Sequence, residues 1–570
     1  MTAGDDTAGA HPAGDADAAV DAIADRFWED VLVLSPTTAT AYGDERYGDR
    51  LEDPSAAGRA RMRAVLERTL AEVDAIDPDA LSTEPRITRD MLRIVADIGL
   101  EQQAQRIDVL KVVDQMEGPQ TLLPTIAAFQ PADTPERLEK LLARIRAYGP
   151  FMAANTDLLR EGIDRGLTAP RIVAERVVAQ LERILAAPAE AYPLVEMAKV
   201  AREADREAIA AAVRDVVRPA DAEFLRVLRD TYLAATRTDP GLWSAPDGDA
   251  LYRTQIRAWT TLDLDPGDLH RVGLGELEAI EGERRAITRA AGFGDDTAAY
   301  RAALVADPAN IPTSAEALLA RAAEDIARAM EAAPRAFGRL PRAGVVVKAV
   351  EPYKEKDAPF AYYYPPAVDG SRPGIYYANT YDLPSRTYHK LATTTYHEAV
   401  PGHHFQITLE MEHPSLGTFR RLGSRLVGGA YVEGWGLYSE RLADELGLFR
   451  DEAERFGMLD AQAWRAARLV VDTGMHALRW PRERSIETLR GAGLGDTDAL
   501  IETDRYITWP AQALTYKVGQ REIERLRREL TLRDGDAFDL RGFHDALLGH
   551  GSLPLATLAA ELPRWVTPAR

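Results

Sequence analysis

The chain has 570 residues, 46% hydrophobic and 28% charged, which is the balance of an ordinary folded protein with room for several packed lobes. Its formal net charge of −21 argues against nucleic acid and anionic membranes as main partners. It contains no cysteine, which excludes disulfides, thiolate metal sites, iron–sulfur clusters and cysteine nucleophiles; any metal must be held by His, Asp or Glu.

Residues 1–16 are small, acidic and rich in Gly and Ala, and read as a disordered tail. The N-terminus has neither the basic nor the apolar region of a signal peptide, and no apolar run reaches about 18 residues, so a cytoplasmic protein without a membrane span is expected. Residues 17–340 read as a helical region. The apolar period Val20, Ile23, Phe27, Val31 predicts a first helix that stops before Pro36. Thr134 before Pro135 and Glu136 marks another helix start, and Gly149-Pro150 its end. Thr168 is expected to open a helix that runs to Pro188, and Asp265-Pro266 a long one through GDLHRVGLGELEAIEGERRAITRAAG.

Residues 341–570 read as a metal-binding region that forms one cooperative unit with the helices before it. It opens on VVVKAVEPY, FAYYYPP and GIYYANT, short β-branched or aromatic runs separated by Pro, Gly and Asp. These predict a small sheet or ribbon, with its tyrosines as packing residues, able to hold an extended substrate by main-chain hydrogen bonds. Ser385 is the expected cap of a helix through RTYHKLATTTYHEAV, which delivers His397 and Glu398 near its C-terminal end. The fold class expected is mainly α, with this small sheet next to the metal-binding helix.

The stretch Tyr396–Gln406, YHEAVPGHHFQ, holds three of the chain's ten histidines. His397 and Glu398 open like the HExxH motif, in which two imidazoles one turn apart hold zinc and the glutamate activates water. Here the second histidine comes late, at His403 or His404. On a straight helix His403 would point about 120° away from His397, and His404 would share its face but lie roughly 10 Å along the axis. Ligand bonds of about 2 Å cannot span that, so the helix must bulge or break. Pro401, whose ring would clash with the carbonyl of His397, and Gly402 supply the means.

A catalytic zinc keeps one position open and takes a third protein ligand. Glu433 in YVEGWGLYSE is the candidate, set among Gly428, Gly429, Gly434 and Gly436, which would let its helix approach closely. Glu440, two turns on, is the alternative ligand or a partner of one. In VVDTGMHALRW, Asp472 and His476 stand at i, i+4, where a carboxylate can orient an imidazole for transition-state work. Arg479 follows three residues later. The segment TDRYITWPAQALTYKVGQ, with a helix start at Trp509-Pro510, concentrates Arg505, Tyr506, Tyr516 and Lys517. A tyrosine there could donate to an oxyanion, and the cations could hold a substrate carboxylate.

Together HEAVPGHHFQ, EGWGLYSE, VDTGMHALRW and the RYxxxPxQALxYKxG pattern at 505–519 resemble the bacterial family of unknown function DUF885, over a span from about residue 20 to the C-terminus. That family resembles in turn the largely helical zinc metallopeptidases, the group of angiotensin-converting enzyme, thimet oligopeptidase and the helical carboxypeptidases. The resemblance implies a large two-lobed helical fold with a deep cleft. It also implies one Zn²⁺ per chain held by His397, His403 and Glu433, with Glu398 as general base. His404 would be an alternative ligand. The reading that follows is a zinc hydrolase cleaving amide bonds in short peptides, with Tyr506 or His476 stabilising the oxyanion. Two alternatives stand beside it: a metal-dependent biosynthetic or tailoring enzyme for a small amino-acid-like molecule, and a non-catalytic scaffold with a structural metal.

Overall fold

The structure, a computed structural model, describes residues 12–566 apart from 352–354, 356–358, 368–369, 371, 424–425 and 428. The chain divides into two compact units, Met1–Thr254 with Gly417–Phe419, and Gln255–Leu416 with Arg420–Arg570. Among the described residues no helix is long and apolar enough to cross a membrane.

In the first unit α1 (Pro12–Leu34) begins inside the segment read as a tail; residues 1–11 lie outside the described residues. The expected stripe Val20, Ile23, Phe27 and Val31 is buried, and the helix ends before Pro36. α2 (Pro135–Arg165) starts as the sequence predicts, the Thr134 hydroxyl accepting the Arg137 N–H at 3.2 Å. It does not end at Gly149-Pro150 but runs through the proline for 31 residues. Leu141, Ile145 and Tyr148 before Pro150, and Met152 and Leu159 after it, are all buried. Burying one continuous apolar face outweighs the single backbone hydrogen bond that the proline removes. The helix expected from Thr168 begins instead at Arg171, because the Thr168 hydroxyl donates to the Ala235 carbonyl at 2.9 Å.

The second unit contains α3 (Pro266–Ala290), the strands β1 (Val345–Ala349), β2 (Ala361–Tyr364) and β3 (Gly374–Ala378), and then α4 (Tyr388–Glu398) and α5 (His403–Met411). It continues with α6 (Gly429–Glu445), α7 (Glu452–His476), α8 (Asp496–Thr508) and α9 (Thr515–Asp534). Asp265 caps α3 by accepting the N–H groups of Gly267 and Asp268. α3 then lies along α7: a side chain at Gly273 would strike Leu469 and Val470, and Arg284 pairs with Asp460 at 2.6 Å. These contacts place α3 in the unit that carries the histidine cluster.

The fold is mainly α with one small sheet, in the order β1-β3-β2. β1 is parallel to β3, with Val345 opposite Gly374; β2 is antiparallel, with Ala361 opposite Ala378. The central strand is buried at Ile375, Tyr376 and Ala378, and the Tyr376 hydroxyl accepts from Thr395 of α4 at 3.3 Å. This fastens the sheet to the helix that carries His397 and leaves β2 as an edge. α4 begins at Tyr388, after Thr387. Ser385, the expected cap, instead closes the short turn Leu383–Ser385 by donating to the Asp382 carbonyl at 2.9 Å.

Candidate metal centre

The helix breaks where Pro401 requires it. α4 ends at Glu398, Ala399 and Gly402 leave helical geometry at ψ −98 and ψ −130, the Val400–Pro401 peptide is cis, and α5 restarts at His403. The Trp435 indole N–H holds the corner by donating to the Pro401 carbonyl at 2.9 Å and the Gly402 carbonyl at 3.2 Å. The new axis turns His403 back onto His397: the two rings stand 4.8 Å apart and nearly perpendicular, at 88°.

Glu433 of α6 completes the group. Its Oε2 lies 3.7 Å from His397 Nε2 and 3.6 Å from His403 Nε2. Three ligands of one tetrahedral ion with bonds of about 2 Å would stand about 3.3 Å apart, so small adjustments would let these three close on a zinc. Ligand atoms of His397, Glu398 and His403 also lie within 4.8 Å of one another. Two imidazoles and a carboxylate are the donor set of a catalytic zinc site. The room for it comes from Gly436: a Cβ there would sit 2.7 Å from His397 Nε2 and 3.0 Å from His403 Cε1. Gly434 serves the other face of α6, where a Cβ would lie 2.4 Å from Gly519 Cα on α9. The glycine-rich stretch thus allows two close approaches.

Glu440 is a partner of a ligand. Its Oε1 accepts His397 Nδ1 at 2.8 Å, which fixes the tautomer and aims Nε2 at Glu433. The chain goes deeper: Gln462 Nε2 donates to Glu440 Oε2 at 2.9 Å, and Lys517 Nζ and Gln520 Nε2 donate to Gln462 Oε1 at 3.1 and 2.9 Å. Burial alone would lower the His397 pKa, but the carboxylates of Glu433 and Glu440 overcome it and raise it to about 9. Burial opposes ionisation of Glu433 as well, yet His397 and His403 hold its carboxyl well below the usual range. The pocket is electrostatically prepared for a positive charge. Glu398 differs: burial raises its carboxyl, and it makes no hydrogen bond among the described residues. It lines a cavity of about 250 Å³ with His403, Glu433, Tyr363 and Ile407.

His404 faces away from this group. Its Nδ1 meets the Tyr363 hydroxyl at 2.9 Å and Thr408 Oγ1 at 3.2 Å, and burial lowers its pKa to about 4. Of the two histidines it is His403 that joins His397. His476 and Tyr506 are not placed for oxyanion work. His476 Nε2 is engaged by the Tyr506 carbonyl at 3.0 Å, and the Tyr506 hydroxyl accepts the Trp464 indole at 3.1 Å and Arg468 Nε at 2.8 Å. Asp472 accepts the Ala511 N–H at 3.1 Å, at the turn between α8 and α9. That turn, rather than a helix start, is what Trp509-Pro510 makes. Arg479 lies beyond the end of α7, exposed and at φ 60. Lys517 is buried under Gln462, and burial lowers its pKa to about 8.

Tyr516 does stand at the site. Its ring is roughly parallel to that of His397, at 6.4 Å and 27°, and its hydroxyl makes no hydrogen bond among the described residues. Arg505 bonds Gln512 at 2.8 Å and belongs to a group of cations around Tyr516. The sequence reading passed over two members of that group, Arg465 and Arg468, although cations at i, i+3 amid Ala463, Ala466, Ala467, Leu469 and Val470 were a signal. It also passed over Gln462.

A family model described as "Bacterial protein of unknown function (DUF885)" matches residues 36–562. No curated protein matches the chain. A crystal structure called a "putative lipoprotein" from Colwellia psychrerythraea superposes with a TM-score of 0.88 at 28% identity, covering 97% of this chain and 99% of that one. A "putative lipoprotein of unknown function" from Shewanella oneidensis gives 0.70 at 19% identity, with 94% and 98% covered, and shows likeness of fold alone.

Proposed function

The chain belongs to DUF885, a bacterial family of unknown function, and since membership brings no activity with it, we propose from the site's own geometry that the protein is a zinc-dependent amide hydrolase. One observation carries the reading: His397 Nε2 and His403 Nε2 converge on Glu433 Oε2, with Glu398 beside them unengaged and opening on a cavity. When bound by His397, His403 and Glu433, zinc would supply a Lewis acid for a carbonyl and lower the pKa of a water. Glu398 takes the proton from the attacking water and returns it to the leaving amine, for which a half-buried carboxyl of raised pKa is suited. Glu440 holds the His397 ring in register through Nδ1. The oxyanion donor is Tyr516, whose hydroxyl is uncommitted beside His397, in place of Tyr506 or His476.

β2 is an outer strand of the sheet and its Tyr363 lines the cavity, which supports an extended peptide as substrate, held by main-chain hydrogen bonds. The small cavity equally suits one amino-acid-like amide, and a peptide-library cleavage profile separates the two. The lipoprotein description of the neighbour at 28% identity favours the cell envelope over the cytoplasm. Fractionation of the tagged protein decides between them.

Metal analysis of the purified protein, with Glu398→Gln beside it, tests the mechanism. About one zinc per chain in both, with activity lost only in the variant, is the expected result. Wild-type turnover by Glu398→Gln, or no metal after zinc reconstitution, would overturn it.

A further inference from the structure

A second charged cluster stands beside the ligand triad on α7 and α8, and Tyr516 connects the two. The face of the Tyr516 ring lies 4.2 Å from the guanidinium carbon of Arg468 and 5.8 Å from that of Arg465. The Trp464 ring takes the same two guanidiniums at 4.4 and 4.3 Å. Arg505 joins from α8 by sharing a carboxylate with Arg468: Glu502 accepts Arg468 Nη2 at 3.1 Å and lies 3.5 Å from Arg505 Nη1. Glu502 is thus shared by two cations, and the half-buried Arg465 leaves positive charge in excess.

Not all of these guanidinium groups are satisfied. Arg468 is only 2% exposed, yet its Nη1 is buried without a hydrogen-bond partner, and so are Nε of Arg465 and Nε of Arg505. Burying an N–H of a charged group with no acceptor is costly, and folded proteins rarely leave three together. Tyr506, Glu502 and Gln512 account for the other bonds of Arg468 and Arg505, which leaves these N–H groups for acceptors that a ligand would bring. A pair of coplanar oxygens suits the guanidinium fork best.

We propose that Arg465, Arg468 and Arg505 form a carboxylate-binding pocket, and that substrates enter with a free α-carboxylate there, so that cleavage falls near a peptide's C-terminal end. The assignment of a scissile amide at the triad rests on the hydrolase reading; the anion site itself does not. Arg468 lies no further from the His397 ring than its 4.2 Å to Tyr516 and the 6.4 Å from Tyr516 to His397 together allow. An extended chain spans at most about 3.5 Å per residue, so that gap is bridged by one to three residues.

The test uses the full-length zinc-loaded protein with benzoyl-glycyl-phenylalanine and its C-terminal carboxamide, compared in hydrolysis and in calorimetric binding to Glu398→Gln. The free acid should bind at least tenfold tighter than the amide, and Arg465→Gln should abolish that preference. Arg468→Lys, which keeps charge but not the fork, should reduce it. Equal affinity for acid and amide, or an acid preference unchanged in both arginine variants, would overturn the proposal. Acid-selective binding without hydrolysis by the active protein would leave the anion site standing and sink the hydrolase reading. Hydrolysis of both compounds at the same rate would do the reverse.

Discussion

Two regions of the second unit carry nearly the same inventory of His, acidic and Tyr residues, and they do opposite things with it. Around α4, α5 and α6 the polar side chains end on one another or on a cavity: His397 and His403 on Glu433, Glu398 on open space. Around the end of α7 and the α8–α9 turn they tie the fold together: His476 meets the Tyr506 carbonyl, Asp472 accepts the Ala511 N–H, and the Tyr506 hydroxyl accepts from Trp464 and Arg468. Both are buried, and buried polar groups must be paired. The difference lies in what pairs them. A group whose partners are backbone groups is spent on holding the fold, and one that faces only other ligands is held for something to come. Histidine pKa values register the same split: carboxylates raise His397 to about 9, whereas burial between a hydroxyl and a carbonyl drives His544 down to about 3.

The sharpest way to break this comparison is to fill the space between the ligands. Gly436→Leu would drive a side chain into His397 Nε2 and His403 Cε1, so zinc stoichiometry should fall from about one to near zero while circular dichroism still reports a helical protein. A variant that keeps its zinc would show that the ion does not sit between these rings. Next comes the pair Tyr516→Phe and Tyr506→Phe. The first should lower kcat by about 100- to 1,000-fold with little change in KM, the usual cost of losing one oxyanion donor. The second removes a hydroxyl that accepts from Trp464 and Arg468, so it should cost about 1–3 kcal/mol of stability and leave kcat within a few-fold. Reversed outcomes would return the oxyanion role to Tyr506. Glu440→Gln is milder: zinc affinity measured by chelator competition should drop about 10- to 100-fold, as when other ligand-orienting carboxylates are lost.

Most of the centre was legible in the sequence because its constraints are local. Pro401 two residues before His403 forces a break, and a break is what permits ligands six apart to meet. Gly436 three residues after Glu433 announces that something must pass close to α6. The choice between His403 and His404 was not legible, because it depends on the angle at which α5 leaves the corner, and that angle is set by Trp435 and by the sheet that captures His404 through Tyr363. The surroundings of His476, Tyr506 and Lys517 were not legible for a related reason. Their partners are main-chain groups or residues of other helices, Tyr506 O for one and Gln462 for another, and no spacing rule reveals a tertiary partner. Pro150 is the opposite case, a strong local signal overruled by a continuous buried face.

The smallest effect tests the spent kind of histidine. His544 Nδ1 donates to the Ala336 carbonyl at 2.8 Å and Nε2 accepts from the Tyr438 hydroxyl at 2.8 Å, which fixes a neutral ring. Burial, with Arg527 nearby, keeps its folded pKa at about 3, against an ordinary 6.5 in the unfolded chain. Between those values the unfolded state binds a proton that the folded state refuses, so stability rises with pH across that window and is lost as pH falls from 6.5. The slope is about 1.4 kcal/mol per pH unit. His544→Gln destabilises at pH 7 by cutting the two hydrogen bonds, but it carries no such proton. Its penalty relative to wild type, from urea unfolding, should therefore shrink by about 2 kcal/mol at pH 5. If the penalty is the same at both pH values, His544 is not held neutral, and the contrast drawn between the two kinds of histidine loses its electrostatic basis.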